Sequence, residues 1–111
     1  MPDYQVTRND RQGIVVPNGR LTADVVPGLQ AALRDALEQG LDDLVFDLAD
    51  TAMVDSSGMG LLIAAGNSLA RRHGGIRVIN ASSDILQLLQ SMRLTDRLHV
   101  SGRPEQEARR G

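Results

Sequence analysis

Hydrophobic positions alternate with polar ones at the start of the chain, and further along they recur every three or four residues. Tyr4 and Val6 stand between polar neighbours, residues 9–13 have turn composition, and Ile14-Val15-Val16 is a short β-branched run. This predicts an antiparallel hairpin ended by Pro17, which has no N–H to give to a strand ladder. Asn18-Gly19 marks another turn. A helix is expected to begin soon after Thr22 or Asp24, because Val25 or Val26, Leu29, Leu33 and Leu37 share one helical face with Ala32 and Ala36. Pro27 fits its first turn, where a missing N–H is no loss, and Gly40 closes it.

Residues 44–48 form a short apolar run that reads as a buried strand, and 58–72 have helical character up to Gly74-Gly75. Residues 76–79 predict the next strand. Ser82 or Ser83 then caps a helix whose apolar face is Ile85, Leu88, Leu89 and Met92. Leu98-His99-Val100 suggests a last short strand, and residues 102–111 are a polar tail, either a docked helix or a frayed end. Helix-length crossovers between strands require parallel neighbours, so the expected class is α/β. Its mixed sheet would have about four to five strands, opening with the hairpin and packed with about four helices. A single domain over residues 1–111 is the expected organisation.

The link between the central strand and the second helix is chemically unusual. It reads Asp50-Thr51-Ala52-Met53-Val54-Asp55-Ser56-Ser57-Gly58-Met59-Gly60, and Asp55 or Ser56 is placed to cap the helix. Gly58, Gly60, Ala64, Ala65 and Gly66 are small for helix positions, and each interior Gly costs about 0.5–1 kcal/mol relative to Ala. Such a helix implies close approach to another backbone or to a partner. A hydroxyl at its tip lies where the helix presents partial positive charge, so phosphate on Ser56 is tolerated by the fold. The same phosphate adds about −1.5 to −2 charges beside Asp55 and repels an acidic or apolar docking surface. The simpler reading is that Ser56 and Ser57 only cap the helix. Met59 and Ile63, one turn apart, are either core or a partly exposed docking patch beside Ser56.

Composition narrows the alternatives. There are 111 residues with 41% hydrophobic content, and Tyr4 and Phe46 are the only aromatics, so few rings exist on which a base could stack. The formal net charge is −2, which argues against direct DNA binding or attraction to acidic membranes. Every Lys/Arg position is Arg, which excludes Schiff-base and P-loop lysine chemistry. Without Cys there is no disulfide, thiol catalysis or zinc–thiolate site. The N-terminus lacks signal-peptide character, and the longest apolar stretch is far short of the roughly 20 residues that cross a bilayer. A cytoplasmic protein without membrane insertion is expected.

The run Met53-Val54-Asp55-Ser56-Ser57-Gly58-Met59-Gly60-Leu61-Leu62 closely resembles the signature of the STAS family, the sulfate-transporter and anti-sigma-factor-antagonist domains. The resemblance extends from Gly19-Arg20-Leu21 through Asp47-Leu48 to Gly74-Gly75 and Leu94. It implies a regulatory binding module in a partner-switching pathway, not an enzyme, with Ser56 as the phosphorylated serine and Asp55, Ser57 and Gly58 in support. The implied partners are an anti-sigma factor that doubles as a serine kinase, bound when Ser56 is unmodified, and a PP2C-type phosphatase that restores binding. Thr22, Asp24, Met53, Met59, Gly60 and Ile63 are the candidate partner surface. Family antagonists often carry Glu and Asp around the first-turn leucine, whereas this chain has Arg20 and Thr22, and its nearest acid is Asp24. The alternative is a constitutive STAS subunit of a lipid-transport ATPase complex. The expected oligomeric state is a monomer or weak dimer.

Other chemistries fit poorly. A nucleophile elbow needs Gly two residues before its serine, but Val54 precedes Ser56 in that way and Asp55 precedes Ser57. Gly58-Met59-Gly60 lacks the third glycine of a dinucleotide loop, since position 63 is Ile. Two distant histidines and scattered carboxylates make no metal cluster, so no metal or cofactor is expected.

Overall fold

The computed structural model describes residues 2–104. Strands β1 (Tyr4–Asn9) and β2 (Gln12–Pro17) pair antiparallel, with Tyr4 opposite Pro17 and Val6 opposite Val15. Strand β3 (Gly19–Leu21) follows, then helix α1 (Val26–Glu38) and strands β4 (Asp43–Asp47) and β5 (Thr51–Val54). Helix α2 (Ser56–Arg71), strand β6 (Gly75–Ala81), helix α3 (Ser83–Ser91) and strand β7 (Val100–Gly102) complete the order. The main sheet runs β1-β2-β4-β6-β7, and every pair after the hairpin is parallel. The mixed α/β architecture with an initial hairpin is as the sequence predicts. Three α-helices lie among the described residues. The remaining expected helix would fall in residues 105–111, outside those described.

Central β4 brings Leu44, Val45 and Phe46 into the interior, and Phe46 is fully buried. Leu29 and Leu33 of α1, Leu61 and Leu62 of α2, and Ile85 and Leu89 of α3 join the same core. Residues with 3.6-residue spacing thereby bury one stripe of each helix against the sheet. The stripe on α3 differs from the expected one. Ile85, Leu86 and Leu89 are buried, while Leu88 and Met92 are rotated outward. Five apolar residues across this short helix are more than one stripe holds, and periodicity alone does not say which edge faces inward.

Two strands are absent from the sequence reading. β3 and β5 form a separate two-stranded parallel sheet, at positions expected to be turn and loop. Each follows a main-sheet strand, β2 or β4, after a short break. Pro17 ends the β2 ladder for want of an N–H. Its carbonyl accepts a bond from the buried Thr51 hydroxyl at 2.9 Å, and the Gly19 N–H donates to Asp50 O at 2.8 Å. Gly19 has φ +91°, a conformation open to glycine but not readily to other residues. At the other end of the chain, Gly102 is no part of a polar tail. It is buried in β7, and Arg103 donates to the carbonyls of Asn80, Leu48 and Ala49.

Candidate functional site

Leu21 and Val54 are partners in the small sheet, so the chain leaves β3 and β5 at the same edge. Residues 22–24 and Asp55-Ser56 follow directly. Sites in α/β folds commonly lie off the carboxyl ends of parallel strands, where loops converge on helix N-termini. Asp55 is the N-cap of α2, and its Oδ1 accepts the Gly58 N–H at 3.0 Å. Its Oδ2 accepts the Ala23 N–H at 3.0 Å, and its own N–H donates to Leu21 O at 3.3 Å. One carboxylate thus ties the first turn of α2 to the loop after β3.

Gly58 permits this approach. A Cβ at that position would stand 2.2 Å from Leu21 O and 2.9 Å from Val54 Cγ1. At Gly60, by contrast, a Cβ would have no heavy atom within 4 Å beyond its own stretch of helix. The two glycines of the motif therefore differ in role: one seats the helix on the strand, the other leaves open space at the surface.

The Gly58 amide is the chief cause holding the Asp55 carboxyl below the usual aspartate range, against opposing desolvation. The Ala23 and Ser57 amides add to this, and neighbouring Asp24 opposes it. Asp24 is also lowered, first by the hydroxyl of Thr22, which donates to its Oδ1, with Arg20 Nη2 at 3.5 Å from Oδ2. A depressed folded value means that ionised Asp55 stabilises the fold above about pH 4, and that this contribution is lost as pH falls through the folded value. Asp55→Asn keeps an oxygen for the Gly58 amide but presents an NH2 group to Ala23. Thermal melts between pH 2 and 5 are expected to show a shallower loss of stability in this variant than in the parent. Asp24, also lowered, keeps its own acid sensitivity in this variant. An unchanged slope would contradict the assignment.

Ser56 is exposed at the first residue of α2, while Ser57 is half-buried. Beside Ser56 an open groove of about 420 Å³ runs between the start of α2 and the outer side of α3, with Gly60, Ile63, Leu88 and Met92 along it. Leu88 is 37% exposed and Met92 47%. The sequence places these two on the apolar face of the helix, without assigning them to the surface beside Ser56. The excess apolar width of α3 was the signal for them. Met53 is 55% exposed on β5, and Ile63 is half-buried. Thr22 is a correction, buried with its hydroxyl committed to Asp24, whereas Met59, though largely buried in the core, still lines the groove. The Thr22 side chain is not accessible as partner surface.

The two histidines lie at the far end of the molecule. His73 follows α2, whose 16 residues span about 24 Å, and His99 Nδ1 is 2.9 Å from Ile76 O at the start of β6. Ser56 has no imidazole within reach. Among the described residues no group of three or more His, Cys, Asp or Glu is placed to hold a metal ion. No helix among them is long and apolar enough to cross a membrane.

The motif thus lies on an Asp-capped, glycine-rich helix with an exposed serine at its tip, beside a parallel-strand edge. Residues 3–106 match the STAS domain, and the chain belongs to that family. It is 26% identical over 105 residues to an anti-sigma-B factor antagonist of Staphylococcus aureus (strain NCTC 8325 / PS 47), covering 95% of this chain and 97% of the relative. Its fold is similar to that of an anti-sigma factor antagonist from Mycobacterium paratuberculosis, with TM-score 0.77 at 20% identity over 96% of this chain and 92% of that one. It is similar also to the Bacillus cell fate determinant SpoIIAA in its phosphorylated form, with TM-score 0.75 at 18% identity over 97% and 99%.

Proposed function

We propose that this protein is an anti-sigma factor antagonist in a partner-switching pathway, acting by binding and not by catalysis. With Ser56 unmodified it binds an anti-sigma factor that is also a serine kinase. Phosphorylation of Ser56 releases it, and a PP2C-type phosphatase resets it. The observation that carries this reading is the exposed Ser56 hydroxyl at the first residue of α2, beside the apolar groove formed with α3. A kinase reaches that hydroxyl without unfolding the chain, and a protein seated on the groove covers it. The names of the relatives point the same way. Asp55 and Gly58 hold the helix tip in place, and the Ser57 amide also faces the Asp55 carboxylate. The partner surface, after the exclusion of buried Thr22, is Asp24, Met53, Met59, Gly60 and Ile63 with the addition of Leu88 and Met92. One domain in the cytoplasm, as a monomer or weak dimer, suffices for this role.

Capture of partners from the native host, with phosphoserine mapping by mass spectrometry, tests the reading. A serine kinase is expected to co-purify with unmodified protein, and the phosphate should map to Ser56 and vanish in Ser56→Ala. Co-purification with a transport ATPase, with Ser56 never modified, would instead establish the constitutive-subunit alternative.

A further inference from the structure

A second cavity lies away from Ser56, between α1 and α2. Its volume is about 200 Å³. Leu33 and Leu37 form the α1 wall, Leu61 and Leu69 the α2 wall, and Leu41 with Leu44 lies beneath. The side of α2 turned towards α1 carries Ala64, Ala65 and Ser68, whose short side chains leave the space between the leucines open. The helices are joined at their C-terminal ends, where Arg72 Nη1 donates to Leu37 O at 2.9 Å. Arg34 lines the cleft and is exposed to solvent. Among the described residues it forms no ion pair, and no acidic side chain lines the cleft.

A hydrocarbon cavity with a few convergent polar groups is the usual form of a small-molecule site. An apolar cavity of about 150 Å³ is large enough to bind benzene, so this one is suited to a tail of that size or a short alkyl chain. An unpaired guanidinium selects a carboxylate, to which it presents a planar fork of donors. We propose that the α1–α2 cleft is a binding site for a small monocarboxylate with an apolar tail, the tail lying among the leucines and the carboxylate at Arg34. This site is independent of the Ser56 switch.

Titration of the full chain with hexanoate, followed by amide chemical shifts, tests it, with hexan-1-ol and acetate as controls. Hexanoate is expected to give saturable shifts centred on Leu33, Ala64 and Ser68 and to bind about fivefold more tightly than hexan-1-ol, the scale of a solvent-exposed charge pair. Acetate, lacking a tail, should give none. Arg34→Gln should remove the advantage of the acid over the alcohol, and Ala65→Leu should abolish binding of both by filling the cleft. Ala64→Leu, at an exposed position, serves as the blocking variant if Ala65→Leu does not fold. Absence of saturable shifts with hexanoate would overturn the site. Equal binding of acid and alcohol, or an acid preference that survives Arg34→Gln, would overturn the role of Arg34.

Discussion

Gly58→Ala is expected to destabilise the fold by about 2 kcal/mol, whereas Gly60→Ala, two residues on, should stabilise it by about 0.5–1 kcal/mol. Both are helix positions, and helix propensity alone favours Ala at each. The signs differ because the surroundings do. A methyl on residue 58 would lie 2.2 Å from the Leu21 carbonyl oxygen, which is backbone and has no rotamer to change. Helix and strand must then separate, straining the bonds from Ala23 and Asp55 that hold the loop to the cap. Residue 60 faces open space and gains the propensity without a clash. Urea denaturation of the two variants, read at constant m-value, measures both effects. Equal shifts of the same sign would show that the close approach at Gly58 is not a constraint.

Ser56→Asp is expected to weaken binding to the anti-sigma kinase more than 100-fold while changing folding stability by no more than about 1 kcal/mol. The large term comes from the interface. A negative group placed at the mouth of the groove adds to Asp55 and Asp24, and an apolar or acidic docking surface there must desolvate it without a partner. The small term comes from the helix, where an acid in the first turn interacts favourably with the macrodipole and offsets part of its repulsion from Asp55. Calorimetric titration against the purified partner, with a thermal melt of the same sample, separates the two. Binding as tight as the parent's would end the switch reading, and unfolding would make the loss of binding structural.

Much of this was legible from one-dimensional pattern. The alternation of Tyr4 and Val6 and the 3.6-residue spacing of Leu29, Leu33 and Ala36 reflect burial of one face, which leaves a periodic trace in any sequence. The Asp-Ser-Ser-Gly run was legible for a different reason: capping is local, with Asp55 bonding an amide only three residues away. β3 and β5 were not legible. Three or four residues are too short to show a period, and Arg20 and Met53 are exposed there while Leu21 and Val54 are not. Their pairing is set by contacts more than thirty residues apart, such as Thr51 to Pro17.

From the sequence alone came the fold class, the helix cap and the serine at its tip, because each depends on neighbours within a few residues or on simple periodicity. Tertiary structure decided the surface around that serine. Met59 turns into the core and Leu88 with Met92 turns out, although all three are equally apolar. Hydrophobicity states that a side chain gains by leaving water; only the positions of α2 and α3 on the sheet determine which ones have somewhere to go.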